Sequence, residues 1–491
     1  MPTMNRTLAA SPVASLETYL EGGGGRALDV VRAIGPEAVI DKIEESGLRA
    51  RGGAGVPCGP KWRTVRAYGI GAAVSPSMVV NAAEGEPGSF KDRAILLRNP
   101  YLVLEGALIA ARAVGAADII VALKEKYTDV RSRMAGAIEE ARDAGWFENV
   151  TIEVFAGPNE YLYGEETAML EAIDGRPPFP RIAPPYRHGV HEVVDRAVAP
   201  EGIGASAAHV ELADPGGGSG GSPTLVNNVE TLANVAGIIV EGPDWFRSIG
   251  TRESPGSLVC TVTGATQRHG VGEVPMGTPL REVIELIGGG VDPGHEIKAV
   301  IGGAATPVLT ADQLDTPVSN EGMRGVGGML GAAAFTVFDD RDDMAAVAEG
   351  VARFLSIESC GLCVPCKEDG MALAELFGSV RRSQANDHDL EAIDDRLRTV
   401  TNGARCSLAT QYQLVLQSVL DVFPDEIDAH VHGGAAPAEP ELIASIVDLD
   451  GSVATLDEAH LDKQPDWTFD KRWSGKSPAD RLANVGHPPP R

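Results

Sequence analysis

A run of glycines near the amino end limits this chain more than any other stretch. Gly52, Gly53 and Gly55 fall within four residues, and Pro57, Gly59 and Pro60 follow. Such a segment cannot form a stable helix or strand interior, because glycine loses too much backbone entropy there and proline lacks a donor. It can bring backbone N–H groups against an anion, since no Cβ stands in the way. Arg49, Arg51 and Lys61 flank the run and offer positive charge to a phosphate. Taken alone, the run reads equally as a glycine-rich turn with solvated charges.

A second stretch sharpens the reading. Met78, Val79 and Val80 read as the end of a buried strand, with Asn81 opening the loop behind it. Asn81, Glu84, Glu86, Lys91, Asp92 and Arg93 crowd that loop around Gly85, Pro87 and Gly88. Open α/β sheets bind their ligands at the carboxyl ends of strands. Downstream, strand-like and helix-like patterns alternate: DIIVALK, a helix from Pro100 to Ala113 before it, one from Thr128 to Ala144 after it, then VTIEVFAG. That order predicts a mainly parallel α/β sheet.

The two loops, GLRARGGAGVPCGPKW and NAAEGEPGSFKDR, resemble GLRGRGGAGFPTGxKW and NADEGEPGTFKDR. Those forms belong to the NADH-oxidising flavoprotein of bacterial respiratory complex I and its relatives in NAD-linked hydrogenases and formate dehydrogenases. The resemblance implies an FMN site with NADH stacking on the flavin, and it assigns Arg51, Gly52, Gly53, Lys61, Asn81, Glu84 and Glu86 to that site. YLYGEETAMLEAIDGRPPFPR is similar to the family's YxCGEETALIxSLEGxxGxPR and adds Tyr161, Gly164, Glu165 and Glu166. One acid at a helix start would be ordinary capping; two adjacent ones exceed what a cap requires. PTLVNNVET, similar to PTxxNNVET, adds Val226, Asn227, Asn228 and Thr231.

The second chemical signature is CGLCVPC. Cys360, Cys363 and Cys366 are spaced to wrap one face of a cubane, and Cys406 in GARCSLAT is the candidate fourth ligand. A helix start at Cys406 predicts a lowered thiol pKa. Structural zinc is the rival reading, although zinc more often takes two CxxC pairs or added histidines. The family form ESCGxCxPCReG with a distant cysteine implies a [4Fe-4S] cluster taking electrons one at a time from the flavin. Cys58 has no such spacing, and Cys260 reads as a core thiol.

These readings predict an α/β chain with a Rossmann-like FMN domain, a β-grasp domain and a helical iron–sulfur domain. The expected boundaries are a helical leader at 1–46, the FMN and dinucleotide domain at 47–250 with an insertion at 188–222, the β-grasp (soluble-ligand-binding) domain at 255–338, the helical cluster domain at 342–430 and a tail at 433–491. Within the β-grasp unit, GEVPMGTPLREVIELIGG is expected as its helix. The Gly/Ser-rich insertion either shapes access to the pocket or is inert surface.

Composition excludes other classes. A formal net charge of -27 argues against binding nucleic acid or an anionic membrane. The apolar stretch from Leu102 to Leu123 is broken by Glu105, Arg112 and Asp118 and reads as a buried helix feeding a strand, with no direct membrane span. No secretory leader is visible and six cysteines form no disulfide framework, so a cytoplasmic setting is expected, peripheral on the inner membrane face through partners. The family implies a small [2Fe-2S] thioredoxin-like partner subunit and a larger catalytic or quinone-linked one.

Several positions depart from the family form. Val56 and Thr64 replace aromatics, Ala183 replaces a lysine, Tyr186 a phenylalanine, and Ala50 and Ala83 stand for Gly and Asp. Two lost stacking faces would cost about 1–3 kcal/mol each if they act as rings on bases do. Three functions therefore stand open: an NAD(H)-linked flavin and iron–sulfur oxidoreductase subunit, an FMN/[4Fe-4S] electron-transfer module with another donor, such as a ferredoxin or a partner flavoprotein, or a non-enzymatic scaffold holding only the cluster.

Overall fold

The computed structural model describes residues 4–181, 211–213 and 222–465. Most of the 188–222 insertion, Ala183, Tyr186 and the tail aromatics Trp467, Phe469 and Trp473 lie outside these residues.

The first sheet has strand order β3-β2-β1-β5-β4. Its strands are β1 (Ser77–Ala82), β2 (Asp118–Lys124), β3 (Thr151–Gly157), β4 (Glu211–Ala213) and β5 (Ser222–Asn228). β1, β2, β3 and β5 run parallel, and β4 is an antiparallel edge. Along β1 the side chains alternate between two cores. Met78, Val80 and Ala82 join the larger core with Tyr101, Leu104 and Leu108 of helix Pro100–Val114. Val79 joins Ala122, Val226 and Met169 of helix Glu166–Ile173 on the opposite face. A parallel sheet covered on both faces needs this pattern, apolar on each side of every strand.

The chain leaves β1, builds β2 and β3 outward on one side, then returns to place β5 on the other. The carboxyl ends of β1 and β5 thus form the switch point where doubly wound sheets bind ligands. Asn81 lies within β1 rather than in the loop after it. The strand continues to Ala82 because Asn81 pairs with Ala122 on one side and Asn228 on the other.

The leader is helical but broken: Arg26–Ile34 ends at Gly35, whose φ of 78° and the following Pro36 start a new helix to Ser46. Two buried carboxylates fasten the amino-terminal segment. Glu105 accepts the Tyr19 hydroxyl at 2.6 Å and the Gly25 and Ala27 amides at 2.8 and 3.0 Å. Glu273 accepts the Thr7 and Leu8 amides at 2.8 and 2.9 Å. Among the described residues, no single helix is long and apolar enough to cross a membrane.

The second sheet runs β7-β6-β10-β8-β9, with β6 (Ser257–Gly264) parallel to β10 (Ala334–Asp339) and the other pairs antiparallel: β7 (Gly270–Pro275), β8 (Ile297–Gly302) and β9 (Leu309–Thr310). The expected long helix begins late. Gly272–Pro275 belong to β7, and the helix runs only over Leu280–Val283 before a wider π turn at Ile284–Gly288. Pro275, Gly277 and Pro279 block an earlier start. Cys260 is fully buried in this core, as its apolar strand predicts.

The last unit packs helices Met344–Glu358, Val364–Arg381, Asp387–Thr399, Leu408–Val422 and Pro424–Val431 around Phe354, Phe377, Tyr412 and Leu416. All six cysteines are free thiols.

Candidate functional site

The glycine loop turns back on itself through the Ala50 amide and the Val56 carbonyl, 2.8 Å apart. Helix Cys58–Ala72 follows, so Gly59 and Pro60 fall in its first turn, where a missing donor costs nothing. Gly52 lies against the switch point: a Cβ there would come 3.2 Å from Asn228 Cβ. Gly53 has a φ of 114°. Among the described residues, the amides of Gly52, Gly53, Ala54 and Gly55 donate to no protein acceptor. Arg51 is buried; its amide donates to the Thr231 hydroxyl at 2.8 Å and its guanidinium to the Pro255 carbonyl at 3.0 Å. Its Nε is buried with no partner among the described residues. Four backbone amides without a protein acceptor on a glycine loop form a nest suited to an anion, and that chemistry fits the phosphate of FMN.

The remaining polar groups converge on the same strand ends. Lys61 donates to Glu166 at 2.7 Å and to the Val226 carbonyl at 2.9 Å. Asn227 accepts the buried Trp62 indole N–H at 2.8 Å. Asn81 donates to the Gly164 carbonyl at 2.9 Å, and Gly164 sits so close that a Cβ would lie 3.2 Å from the Ala83 carbonyl. Asn228 caps helix Val229–Ala233 through the Glu230 amide at 3.0 Å and donates to Asp92 at 2.6 Å. Lys91 beneath it pairs with Asp92 and Glu230 at 2.8 and 2.9 Å. Burial raises the Asp92 carboxyl to about 6 despite that lysine.

Two of these residues are held in local hydrogen bonds. Glu84 Oε1 accepts the Ser89 hydroxyl at 2.6 Å and the Asp92 amide at 3.1 Å, and Oε2 accepts Arg93 Nε at 2.8 Å. Burial alone would raise its carboxyl, but Arg93 outweighs that and holds it below the usual carboxylate range. Glu165 caps helix Glu166–Ile173 through the Ala168 amide at 2.8 Å, the simple capping role.

Glu86 reaches toward the other centre. It accepts the Tyr161 hydroxyl at 2.7 Å and the Ala304 amide at 2.8 Å, and burial raises its carboxyl. Tyr161 in turn accepts Gln411 Nε2 at 2.9 Å, and its amide donates to Glu358 at 2.8 Å. Gln411 carries no sequence signal of a site beyond its nearness to Cys406, whereas Glu358 is the first residue of the ESCG stretch.

Cys360, Cys363, Cys366 and Cys406 line one pocket with Leu162, Arg405 and Leu408. Cys363 is the N-cap of helix Val364–Arg381 and Cys366 lies in its first turn, while Gly361 takes a φ of 69° to bend the loop. Among the described residues, no three of the sulfurs lie within 4.8 Å of one another. A tetrahedral zinc with Zn–S of about 2.3 Å would hold its sulfurs about 3.8 Å apart. Four cysteines lining one pocket with no histidine among them are the donor set of an iron–sulfur cubane.

Cys406 stands before the helix, which opens at Leu408 behind the N-cap Ser407. Its thiol is not lowered: burial, with Glu165 and the Cys360 and Cys363 sulfurs nearby, pushes it up to about 12. Burial and the other three sulfurs push Cys366 up to about 12 as well. A metal centre would favour the thiolate forms that burial opposes. Leu162 belongs to the short 3-10 turn Tyr161–Gly164, so one turn forms part of both the cysteine pocket and the polar end of the sheet.

Comparisons with known proteins agree with this layout. The family described as the Nuo51 FMN-binding domain matches residues 43–237. The SLBB domain matches 259–308, and the NADH-ubiquinone oxidoreductase-F iron-sulfur binding region matches 346–430. The F chain of NADH-quinone oxidoreductase of Mycobacterium tuberculosis (strain ATCC 25618 / H37Rv) is 35% identical over 438 residues, covering 87% of this chain and 92% of that protein. The HndC component of the NADP-reducing hydrogenase of Solidesulfovibrio fructosivorans is 34% identical over 433 residues, covering 86% and 82%. Among solved structures, an NAD+-reducing [NiFe]-hydrogenase in the H2-reduced state superposes with a TM-score of 0.71 at 31% identity, covering 86% of this chain and 67% of that one.

Proposed function

This chain belongs to the family of the F subunit of NADH-quinone oxidoreductase, and on that premise we propose that it is the flavin and iron–sulfur subunit of a larger complex, passing electrons between NAD(H), FMN and a [4Fe-4S] cluster. The two groups supply the redox chemistry, a hydride's electron pair on one side and single electrons on the other. The protein's part is to bind, orient and shield.

The amides of Gly52 to Gly55 and the Arg51 guanidinium would hold the phosphate. Lys61, Asn81, Gly164, Glu166, Val226, Asn227 and Asn228 would frame the ring at the ends of β1 and β5, with Gly53 and Thr231 shaping the loop around it. Glu84 and Glu165 act through backbone they hold in place. Glu86 and Tyr161 close the side toward the cluster, and Cys360, Cys363, Cys366 and Cys406 would ligate it. The observation that carries the reading is the turn Tyr161–Gly164, which contributes Gly164 to one centre and Leu162 to the other.

Partners follow from the same reading: a small [2Fe-2S] thioredoxin-like subunit to receive electrons and a larger catalytic or quinone-linked subunit beyond it. The complex would be cytoplasmic, meeting the inner membrane face only through those partners.

One observation favours a second reading, in which another electron donor replaces NAD(H). Where the family form has an aromatic ring, the Thr64 hydroxyl folds back onto the Pro60 carbonyl at 2.8 Å, and Val56 offers no ring either. Anaerobic addition of NADH to the purified protein separates the two. Rapid bleaching of the flavin absorbance supports the first reading. A bound flavin that ignores NADH yet is reduced by dithionite supports the second, and absence of flavin defeats both.

A further inference from the structure

The chain does not end with the helical unit. It turns back as a hairpin of β11 (Ile446–Asp450) and β12 (Val453–Leu456), then a short turn at Glu458–Leu461. This segment is tied to all three units. Arg93, which also holds Glu84, donates to the Ile446 carbonyl at 2.7 Å. Lys126, just past β2, pairs with Asp457 at 3.0 Å. In the second sheet, the His269 amide donates to the Ser452 carbonyl at 2.7 Å and the Ala454 amide to His269 Nδ1 at 2.9 Å. From the helical unit, Arg353 donates to the His460 and Lys463 carbonyls at 3.3 and 3.1 Å.

The far end of the segment enters the space between the two centres. Lys463 Nζ and His460 Nε2 lie 2.6 and 3.2 Å from Glu358 Oε1. The other oxygen of that buried carboxylate accepts the Tyr161 amide at 2.8 Å. Stacked beside this chain of bonds, His460 lies on Phe354 with ring centroids 5.2 Å apart, and Phe354 meets Tyr161 edge-on at 5.2 Å. Glu358 stands two residues before Cys360, and Tyr161 begins the turn that carries Leu162 and Gly164. A surface hairpin anchored only for solubility would have no reason to send a lysine and a histidine to this carboxylate. Two partners on one oxygen, the buried His460 and the partly buried Lys463, leave the carboxylate a single orientation, with its second oxygen aimed at the tyrosine amide.

We propose that the carboxyl-terminal hairpin is a positioning strap: Lys463 and His460 fix Glu358, Glu358 fixes the Tyr161 amide, and the flavin-side turn is thereby held against the cysteine loop. Electron passage between fixed centres falls steeply with separation, so the strap sets the rate of the internal step without touching either group. This rests on the reading of one flavin end and one cluster end.

The test uses the full-length protein carrying Lys463→Met, with Lys463→Arg as the conservative control. Amide hydrogen exchange is followed across residues 158–166 and 357–363. Losing a charged hydrogen-bond partner is expected to speed exchange at Tyr161 by about tenfold, with the first sheet unchanged and protection restored by the arginine. Stopped-flow reduction by NADH should show flavin bleaching at the original rate and the following iron–sulfur step slowed by about tenfold. An unmoved Tyr161 amide, or an unchanged second step, would overturn the strap. Should Lys463→Met fail to fold, His460→Phe keeps the ring stack while removing one bond to Glu358, and the same two readouts decide. A preparation lacking flavin or iron in the unaltered protein would instead defeat the functional reading itself.

Discussion

The polar end of the first sheet and the cysteine pocket solve the same problem in opposite ways. At the sheet end several charged side chains are already paired: Lys61 with Glu166, Arg93 with Glu84, Lys91 with Asp92 and Glu230. Among the described residues, what is left over there includes the amides of Gly52 to Gly55 and the Lys124 ammonium, buried at the end of β2 without an ion pair. The cysteine pocket is the reverse. Its four thiols are only partly buried, and their neighbours among themselves are other sulfurs that resist ionisation together. The sheet end is a finished shape that accepts a ligand. The pocket instead gathers four sulfur donors whose chemistry suits a metal centre.

That contrast can be broken most directly at the pocket. Cys363→Ala should remove the brown iron–sulfur absorbance and the bound iron while the flavin stays; unchanged iron content would refute the ligand assignment. Next in size, Lys91→Met leaves Asp92 and Glu230 buried without their cation. It should cost about 3–5 kcal/mol in urea denaturation, with iron loss no greater than unfolding accounts for. A change of less than about 1 kcal/mol would mean that the pairing under Asn228 is not needed for the finished shape.

Gly52→Ala sharpens the sheet end specifically. The added carbon would press on Asn228 at 3.2 Å and crowd the free amides. FMN affinity measured by fluorescence should fall about tenfold, equivalent to ~1.4 kcal/mol, with little loss of stability. Undiminished affinity would put the phosphate elsewhere. The smallest effect is expected at Cys58, which lies in the first turn of the helix after the glycine loop, remote in role from the cysteine pocket. Cys58→Ala should leave iron content unchanged and shift stability by about 1 kcal/mol or less.

Much of this was legible in the residues because spacing and backbone chemistry are local. C-x2-C-x2-C and the clustered glycines say what they can hold without reference to the rest of the chain. The parallel sheet followed from alternation of strand and helix patterns, and DIIVALK became β2 residue for residue. The failures were of two kinds. Asn81 read as loop because polar residues at a strand end look like turn chemistry, and only its pairing with both β2 and β5 keeps it in the sheet. Gly272–Pro275 read as helix because the apolar spacing after Thr278 was extended backward over a strand partnered by β6.

Site residues failed where function depends on partners far away in sequence. Glu84 and Glu86 stand two apart and look alike, yet one anchors its own loop and the other bridges to Tyr161 and Ala304. Gln411 and Lys463 carry no motif; their roles exist only through contacts about 250 and 105 positions away, with Tyr161 and Glu358.

The turn Tyr161–Gly164 has a consequence for how precisely two centres on different units can be spaced. Were each mounted on its own unit alone, every small rotation between those units would alter the gap. Here four consecutive residues serve as a common reference mark for both. Displacements elsewhere in the molecule would then tend to carry both ends with the turn, and the interval between them would rest on how Leu162 packs into the cysteine pocket and on the Glu358 tie to the Tyr161 amide.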